Sequence, residues 1–228
     1  MSTLADNLSS IRDRINRGAQ AAGRHPADVR LLAVSKTKPA AAIRELHAAG
    51  VHDFGENYLQ EALTKQQQLI DLPLTWHFIG PIQSNKTKAI AEHFDWVHSV
   101  DRLKIAQRLS EQRPAGLAPL NICLQVNVSG EASKAGCAPA QLPALAEAVA
   151  ALPNLRLRGL MAIPEPTDDR NAQEAAFAQL RQLQDALGLG LDTLSMGMSH
   201  DLAAAIAQGA TWVRIGTALF GARDYGNA

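Results

Sequence analysis

The segment Leu31-Leu32-Ala33-Val34-Ser35-Lys36-Thr37-Lys38-Pro39 decides the fold class. Its first five residues form an apolar run with the length and composition of a buried β-strand. Pro39 suits the first turn of a following helix, because its fixed φ and missing N–H cost nothing there. A strand that passes at once into a helix is the repeating unit of an α/β protein, and Lys36 lies at the carboxyl end of this strand.

Similar apolar runs recur at even intervals along the rest of the chain. The predicted strands are residues 31–35, 51–55, 75–80, 96–100, 121–128, 155–163, 193–198 and 212–216. Between them lie stretches with helical periodicity, for example residues 40–49, 57–70 and 171–187. This alternation predicts a parallel sheet in which helices connect successive strands.

Eight strand–helix units favour a single (β/α)8 TIM barrel, an α/β fold, with an open doubly wound sheet as the alternative. The GxGxxG fingerprint of dinucleotide-binding sheets is absent after the first strand, where Ser35-Lys36-Thr37-Lys38-Pro39 stands instead. Residues 5–22 predict one extra N-terminal helix, which could cover the open end of the barrel.

Composition excludes several classes of function. The 228 residues are 46 % apolar, enough for one core, and we expect one domain over residues 1–228. Lysine plus arginine equals aspartate plus glutamate at 22 each, so bulk charge attracts neither nucleic acid nor an anionic membrane. No window approaches the roughly 18 apolar residues of a membrane span. Cys123 and Cys137 fit no metal motif, and we expect a cytoplasmic protein with reduced thiols and no metal.

Lys36 is the first candidate for chemistry. The carboxyl ends of barrel strands form the face on which active sites are built. An amine that is partly desolvated there loses some of its charge and can attack an aldehyde to form an imine.

The last two strands predict a phosphate site on the same face. Ser199 follows the seventh strand and is predicted to open a helix over residues 200–208, as its N-cap or as a phosphate ligand. Gly216 and Thr217 follow the eighth strand, where a glycine lets backbone amides approach an oxyanion. Arg214 lies among apolar neighbours and suggests an acceptor such as an unprotonated pyridine nitrogen. An imine-forming lysine beside a phosphate site indicates pyridoxal phosphate (PLP).

Two other segments have competing interpretations. Gly80-Pro81-Ile82-Gln83-Ser84-Asn85-Lys86-Thr87 nearly matches a nucleotide-binding phosphate loop, but Asn85 replaces the second glycine. The alternative is that Ser84 or Asn85 caps the next helix. Asn57 is interpreted either as a helix cap or as a cofactor contact.

Three further side chains have weaker claims. His77 is interpreted as a hydrogen-bonded strand histidine rather than a general base. Lys38 and Lys134 are candidates for a transient second imine.

Segments from residue 33 to the end of the last predicted unit carry a resemblance to a known family. They are Ala33-Val34-Ser35-Lys36, Phe54-Gly55-Glu56-Asn57-Tyr58, His77-Phe78-Ile79-Gly80 with Gln83 and Asn85-Lys86, Gln125-Val126-Asn127, Arg158-Gly159-Leu160-Met161, Ser195-Met196-Gly197-Met198-Ser199 with Asp201, and Val213-Arg214-Ile215-Gly216-Thr217 through Phe220-Gly221. On these residues the chain resembles the pyridoxal phosphate homeostasis proteins, which are similar to the N-terminal barrel of alanine racemase. The resemblance implies a PLP Schiff base on Lys36, phosphate contacts from Ser199, Gly216 and Thr217, and Arg214 near the pyridine nitrogen.

The same resemblance frames two hypotheses of function. Fold-type III racemases carry a β-rich second domain that supplies catalytic groups, including a tyrosine, whereas this chain ends at Ala228. Racemisation needs acid–base groups on both faces of the substrate carbon, and neither Tyr58 nor Tyr225 has an evident claim to that role. We therefore expect a monomeric, non-catalytic carrier that buffers PLP and delivers it to apo PLP-dependent enzymes. The alternative is a PLP-dependent amino-acid racemase, and a nucleotide hydrolase using the Gly80 segment is a third hypothesis.

Overall fold

The sheet is a closed barrel of eight parallel strands in the chain order β1 to β8, and β8 pairs with β1. The strands are β1 (Arg30–Val34), β2 (Asp53–Glu56), β3 (Thr75–Phe78), β4 (Trp96–Val100), β5 (Leu120–Gln125), β6 (Leu155–Met161), β7 (Thr193–Ser195) and β8 (Trp212–Ile215). The computed structural model describes residues 2–132 and 134–221. The pairing of β1 with β8 rules out the open doubly wound sheet and confirms the predicted (β/α)8 barrel.

Helices surround the barrel. They are α1 (Leu4–Ala21), α2 (Ala40–Ala48), α3 (Leu59–Gln68), α4 (Thr87–His93), α5 (Leu103–Gln112), α6 (Leu142–Ala150), α7 (Arg170–Leu187), α8 (Leu202–Ala207) and α9 (Thr217–Phe220), with 3₁₀ turns at Pro26–Asp28, Ser84–Lys86 and Pro139–Gln141. Within the described ranges, no helix is long and apolar enough to cross a membrane.

Buried apolar side chains form one core outside the barrel and two small clusters inside it. The outer core lies between the strands and the helices and includes Phe54 and Phe177. One inner cluster consists of Leu32, Val34, Ile79 and Trp212, and the other of Trp96, Cys123 and Met161. Because side chains alternate between the two faces of a strand, one strand can contribute to both: in β1, Ala33 belongs to the outer core and Leu32 to an inner cluster.

The extra N-terminal helix is present, but the expectation that it covers the open end of the barrel is wrong. Helix α1 begins after a capping box formed by Thr3 and Asp6, and it packs against α8, α9 and α2 in the outer layer. The physical reason is that, in the described part of the chain, β8 is followed by the four-residue helix α9 alone, which is too short to cover the apolar surface between α8 and α2. Helix α1 covers that surface with its buried face, Leu8, Ile11, Ile15 and Ala19.

Several strands stop before the residue predicted for their carboxyl end. Strand β3 ends at Phe78 rather than Gly80, β5 at Gln125 rather than residue 128, and β7 at Ser195 rather than Met198. The first residue beyond each of these ends still bonds the neighbouring strand, as the Ile79 N–H does with the Glu56 carbonyl at 2.9 Å, but later residues bond elsewhere. The Met198 N–H, for instance, donates to Asp201 Oδ1 at 2.6 Å. The apolar pattern continues past the last ladder bond because these loop residues are still covered.

Candidate functional site

A pocket of about 360 Å³ opens at the carboxyl ends of the strands. Its lining residues are Val34, Lys36, Asn57, Ile79, Ile163, Met198, Ser199, His200, Arg214, Gly216 and Thr217. All six residues proposed from the sequence therefore line one pocket, although their part in cofactor binding stays a prediction. A second pocket of about 390 Å³, lined by Arg12 and Asp53 among others, opens at the opposite end of the barrel, away from these groups.

Lys36 is half-buried in a tight turn directly after β1. Among the described residues, no side chain or carbonyl bonds its amine. The next residue, Thr37, has φ of 63°, a left-handed conformation that is an outlier for a β-branched side chain. Such backbone strain costs of order 1–3 kcal/mol and persists only where the surroundings impose it. The Thr37 N–H donates to Glu61 Oε1 at 2.6 Å, and this contact holds the turn from helix α3.

A buried ionic group, here called the Lys65 cluster, lies behind this turn and consists of Ser35, Glu56, Glu61 and Lys65. The Lys65 amine donates to Glu56 Oε1 at 2.7 Å, to Glu61 Oε1 at 2.5 Å and to the Ser35 carbonyl at 2.7 Å. The Ser35 hydroxyl donates to Glu56 Oε1 at 2.6 Å. Burial raises the pKa of Glu56, and the nearby Lys65 charge opposes that shift. The cluster therefore fixes the backbone on both sides of Lys36 and leaves the Lys36 amine free.

Asn57 follows β2, and its Oδ1 is buried without a hydrogen-bond partner in the described structure. The interpretation of Asn57 as a helix cap is wrong, because α3 begins two residues later, after Tyr58. Gly80 keeps Asn57 in place: a Cβ at residue 80 would lie 2.3 Å from the Asn57 carbonyl oxygen. This close approach gives the Gly80 segment a structural purpose.

Arg214 enters the pocket from β8 and is 5 % exposed. Its Nη1 donates to Ser195 Oγ at 2.8 Å, and its Nη2 donates to the Ala162 carbonyl at 2.9 Å. Burial lowers the pKa of the guanidinium to about 10, so it stays cationic at neutral pH. These two bonds use two of its five N–H groups.

Ser199, Gly216 and Thr217, the predicted phosphate contacts, line the same pocket, but the local structure differs from the prediction. Ser199 is not an N-cap: helix α8 begins at Leu202 after Asp201, because the Asp201 carboxylate bonds the Met198 N–H and forms a turn first. Gly216 precedes helix α9, and a Cβ at this glycine would meet only Val34, at 3.5 Å and beyond. Internal packing therefore does not require a glycine there, whereas a ligand approaching the backbone would.

Helix α1 contacts the segments that follow β7 and β8. The Arg14 guanidinium donates to the Ser199 carbonyl, and the Asn7 amide donates to the Leu219 carbonyl, within α9, at 2.9 Å. Sequence reasoning missed both contacts, since α1 is far from these segments in the chain. It also missed His200, although that residue's place beside Ser199 was an available signal.

The remaining candidates have structural roles. In the Gly80 segment, Thr87 Oγ1 lies 2.9 Å from the Ser84 carbonyl oxygen and 2.7 Å from Gln112 Oε1, and Lys86 is exposed. Neither Ser84 nor Asn85 caps α4, because a 3₁₀ turn precedes that helix and its N-cap is Lys86.

The two other candidate lysines, Lys38 and Lys134, lie outside the pocket lining, and so do Cys123 and Cys137. Lys38 donates to the Gly221 carbonyl at 3.1 Å, and Lys134 lies 4.0 Å from Glu131. Burial raises the pKa of Cys123 to about 12 and that of Cys137 to about 11, which makes both thiols inert.

Comparisons with known proteins agree with the fold. The family model described as alanine racemase, N-terminal domain, matches residues 7–224. The pyridoxal phosphate homeostasis protein of Pseudomonas aeruginosa is 79 % identical over 226 residues, which is 99 % of this chain and 98 % of that protein. The structure of PipY from Synechococcus elongatus with PLP bound has a TM-score of 0.84 and 44 % identity, covering 96 % of this chain and all of that one.

A more distant structure shows the fold alone. Alanine racemase from Corynebacterium glutamicum matches with a TM-score of 0.68 and 18 % identity, over 97 % of this chain and 63 % of that one. Taken with the family match and the high identity to the relatives, these comparisons show that the chain belongs to the alanine racemase N-terminal domain family and, within it, to the pyridoxal phosphate homeostasis proteins.

Proposed function

We propose that this protein binds pyridoxal 5'-phosphate as a Schiff base on Lys36 and serves intracellular PLP homeostasis by buffering and delivering it. One observation carries the proposal: Lys36, whose amine no described residue bonds, and Asn57, whose buried Oδ1 has no partner among the described residues, line the same pocket as the cationic Arg214. A buried acceptor without a partner is unfavourable, so a ligand that donates to it would relieve the cost. PLP bound in the PipY structure supports the choice of ligand.

Each of the six residues proposed from the sequence has a part in binding PLP. Lys36 is the covalent attachment point, because bound PLP supplies an aldehyde that a lysine amine attacks reversibly with loss of water. Ser199, Gly216 and Thr217 hold the phosphate with hydroxyl and backbone N–H donors. Arg214 donates to the pyridine nitrogen, and since a guanidinium does not give up its proton, the nitrogen stays unprotonated. Asn57 accepts a hydrogen bond from the ligand.

The same features favour a carrier over an enzyme. An unprotonated pyridine is a weak electron sink, which disfavours carbanion chemistry. Reversible imine formation alone is sufficient to store and release an aldehyde. We propose a cytoplasmic, monomeric, single-domain protein without robust catalysis, whose recipients are apo PLP-dependent enzymes.

One observation favours a racemase of fold type III as the second candidate. His200 lines the pocket with Lys36, so two acid–base groups are present there. Tyr58 does not serve, because it is 51 % exposed beside α3, and Tyr225 lies outside the described residues. Exchange of the α-proton of amino acids in D₂O during sustained turnover would favour the racemase.

The test is to add PLP to the purified protein, record the imine absorption band, reduce it with borohydride and map the labelled peptide. We expect label on Lys36, loss of the band in Lys36→Ala, and no change in the matched exposed variant Lys88→Ala. Label scattered over surface lysines would contradict the proposed site. Transfer of bound PLP to an apoenzyme, without amino-acid turnover, would support delivery.

A further inference from the structure

A continuous hydrogen-bonded chain of side chains runs through the inside of the barrel and ends on Arg214. The Arg214 Nη1 lies 2.8 Å from Ser195 Oγ, which lies 2.7 Å from His98 Nδ1. His98 Nε2 lies 2.9 Å from His77 Nδ1, and His77 Nε2 lies 2.9 Å from Asp53 Oδ1. Ser195, His77 and His98 are fully buried.

The chain crosses the barrel rather than following the sheet. His98 is on β4 and Ser195 is on β7, and β5 and β6 separate these strands in the sheet order. Their contact therefore spans the barrel interior. Asp53 begins β2 at the amino-terminal end, so the chain joins that end to the pocket lining.

The two ends fix the direction of the terminal bonds. A guanidinium only donates, and an ionised carboxylate only accepts. Ser195 therefore accepts from Arg214, and His77 donates to Asp53. With both imidazoles neutral, His98 then accepts at Nδ1 from the Ser195 hydroxyl and carries its own proton on Nε2. That proton is donated to His77 Nδ1, and the His77 Nε2–H is donated to Asp53.

Neutral imidazoles give every contact in this chain one donor and one acceptor. Burial lowers the pKa of both His77 and His98, which favours the neutral forms. Arg214 donates to Ser195 whatever the protonation of the histidines, because a guanidinium has no acceptor, so the chain supports Arg214 as a donor.

We propose that Ser195, His98 and His77, anchored by Asp53, are positioning residues that fix the Arg214 guanidinium as a permanent donor aimed into the pocket. The occupant that this arrangement selects is an uncharged aromatic ring nitrogen that accepts a hydrogen bond. The ligand part of this inference rests on the proposed PLP function, whereas the chain itself is a property of the protein alone.

The first test needs no ligand. ¹⁵N NMR of the histidine side chains reports which ring nitrogen carries the proton. We expect His77 and His98 to be neutral Nε2–H tautomers from pH 6 to 8, and we expect Ser195→Ala to change the His98 signal. A charged His98 or an Nδ1–H tautomer in the wild-type protein would overturn the proposal.

The second test uses PLP with Ser195→Ala and the control Ser110→Ala. Ser110 is also a buried serine; its hydroxyl donates to the Pro153 carbonyl at 2.5 Å, and it is not one of the residues that line the pocket. We expect Ser195→Ala to weaken PLP binding roughly threefold to tenfold, the worth of about one hydrogen bond, and to shift the pH profile of the imine band. Identical profiles in the two variants would overturn the positioning role. Failure of the wild-type protein to label Lys36 would instead refute the proposed function, and the NMR result would still decide the chain.

Discussion

The two cations that line the pocket are supported in opposite ways. Lys36 is held through its backbone: Glu61 accepts the Thr37 N–H and Lys65 donates to the Ser35 carbonyl, while the Lys36 amine is left unbonded. Arg214 is held through its own guanidinium, which donates to a protein hydroxyl and a carbonyl. The difference fits the proposed roles, because an amine that must form a covalent bond has to stay free, whereas a permanent donor does not.

The two supports also differ in charge and place. The Lys65 cluster is ionic and lies in the outer layer between β1, β2 and α3. The chain behind Arg214 passes through two neutral histidines inside the barrel. We therefore expect the Lys65 cluster and the histidine chain to be disrupted by different substitutions and at different pH.

Lys65→Met should have the largest effect on stability. It leaves the fully buried Glu56 without its ionic partner, and breaking a buried pair in this way costs about 3–5 kcal/mol. We expect that loss in the free energy of unfolding measured by urea denaturation, with slower imine formation on Lys36 as the turn loosens. Lys88→Met is the matched control, since the Lys88–Glu92 pair is exposed and 3.9 Å long. Equal losses in the two variants would show that the Lys65 cluster is not a support.

Gly80→Ala should have the next largest effect, on the Lys36 side of the pocket. The new Cβ would lie 2.3 Å from the Asn57 carbonyl oxygen, so Asn57 must move. Overpacking of this kind costs about 1–3 kcal/mol. We expect lower stability together with weaker PLP binding, measured by denaturation and titration. Gly116→Ala is the control, because nothing lies within 4 Å of a Cβ there. Unchanged PLP affinity in Gly80→Ala would argue against a role for Asn57 in binding.

The contrast between the two supports shows what sequence alone could predict. Lys36, Asn57, Ser199 and Arg214 could be placed together because parallel barrel strands bring their carboxyl ends to one face. The contact between His98 and Ser195 could not, because no periodicity reports which residues meet across a barrel interior.

The sequence also left the surroundings of individual side chains ambiguous. Lys65 lies in a glutamine-rich helix and is typical of a solvated lysine, yet it is 5 % exposed because two carboxylates and a carbonyl surround it. Asn57 and Ser199 both have the composition of helix caps, but the helices after them begin two or three residues later.

Lowering the pH should weaken the hydrogen-bonded chain that supports Arg214. The pKa of His98 lies well below 6.5 in the folded protein because of burial and the nearby His77 and Arg214. An unfolded chain protonates this imidazole near pH 6.5, so His98 contributes stability above that pH. The contribution is lost as pH falls below 6.5, with a slope of about 1.4 kcal/mol per pH unit.

We therefore expect the unfolding free energy of His98→Gln to fall less steeply below pH 6.5 than that of the wild type. The difference between the two slopes should correspond to one bound proton. Glu56 contributes a slope of the opposite sign, because its raised pKa favours the folded state as pH falls, and this cancels in the comparison. The exposed His93→Gln is the control and should follow the wild type. Parallel curves for all three proteins would mean that His98 is protonated in the folded state.

Arg14→Gln should have the smallest effect, and that effect should be confined to the part of the pocket lined by Ser199. Arg14 donates to the Ser199 carbonyl from helix α1, whereas Arg17, one turn later, is exposed and, among the described residues, bonds only the Asp13 carbonyl of its own helix, at 3.4 Å. Both substitutions to glutamine remove one charge from the same helix, so any difference between them isolates the contact with the loop. We expect PLP binding to weaken about twofold to fivefold in Arg14→Gln, with an unchanged rate of imine formation on Lys36, and no change in Arg17→Gln. Equal weakening in both variants would assign the effect to long-range charge, and a slower imine step in Arg14→Gln would mean that the two sides of the pocket are not independently supported.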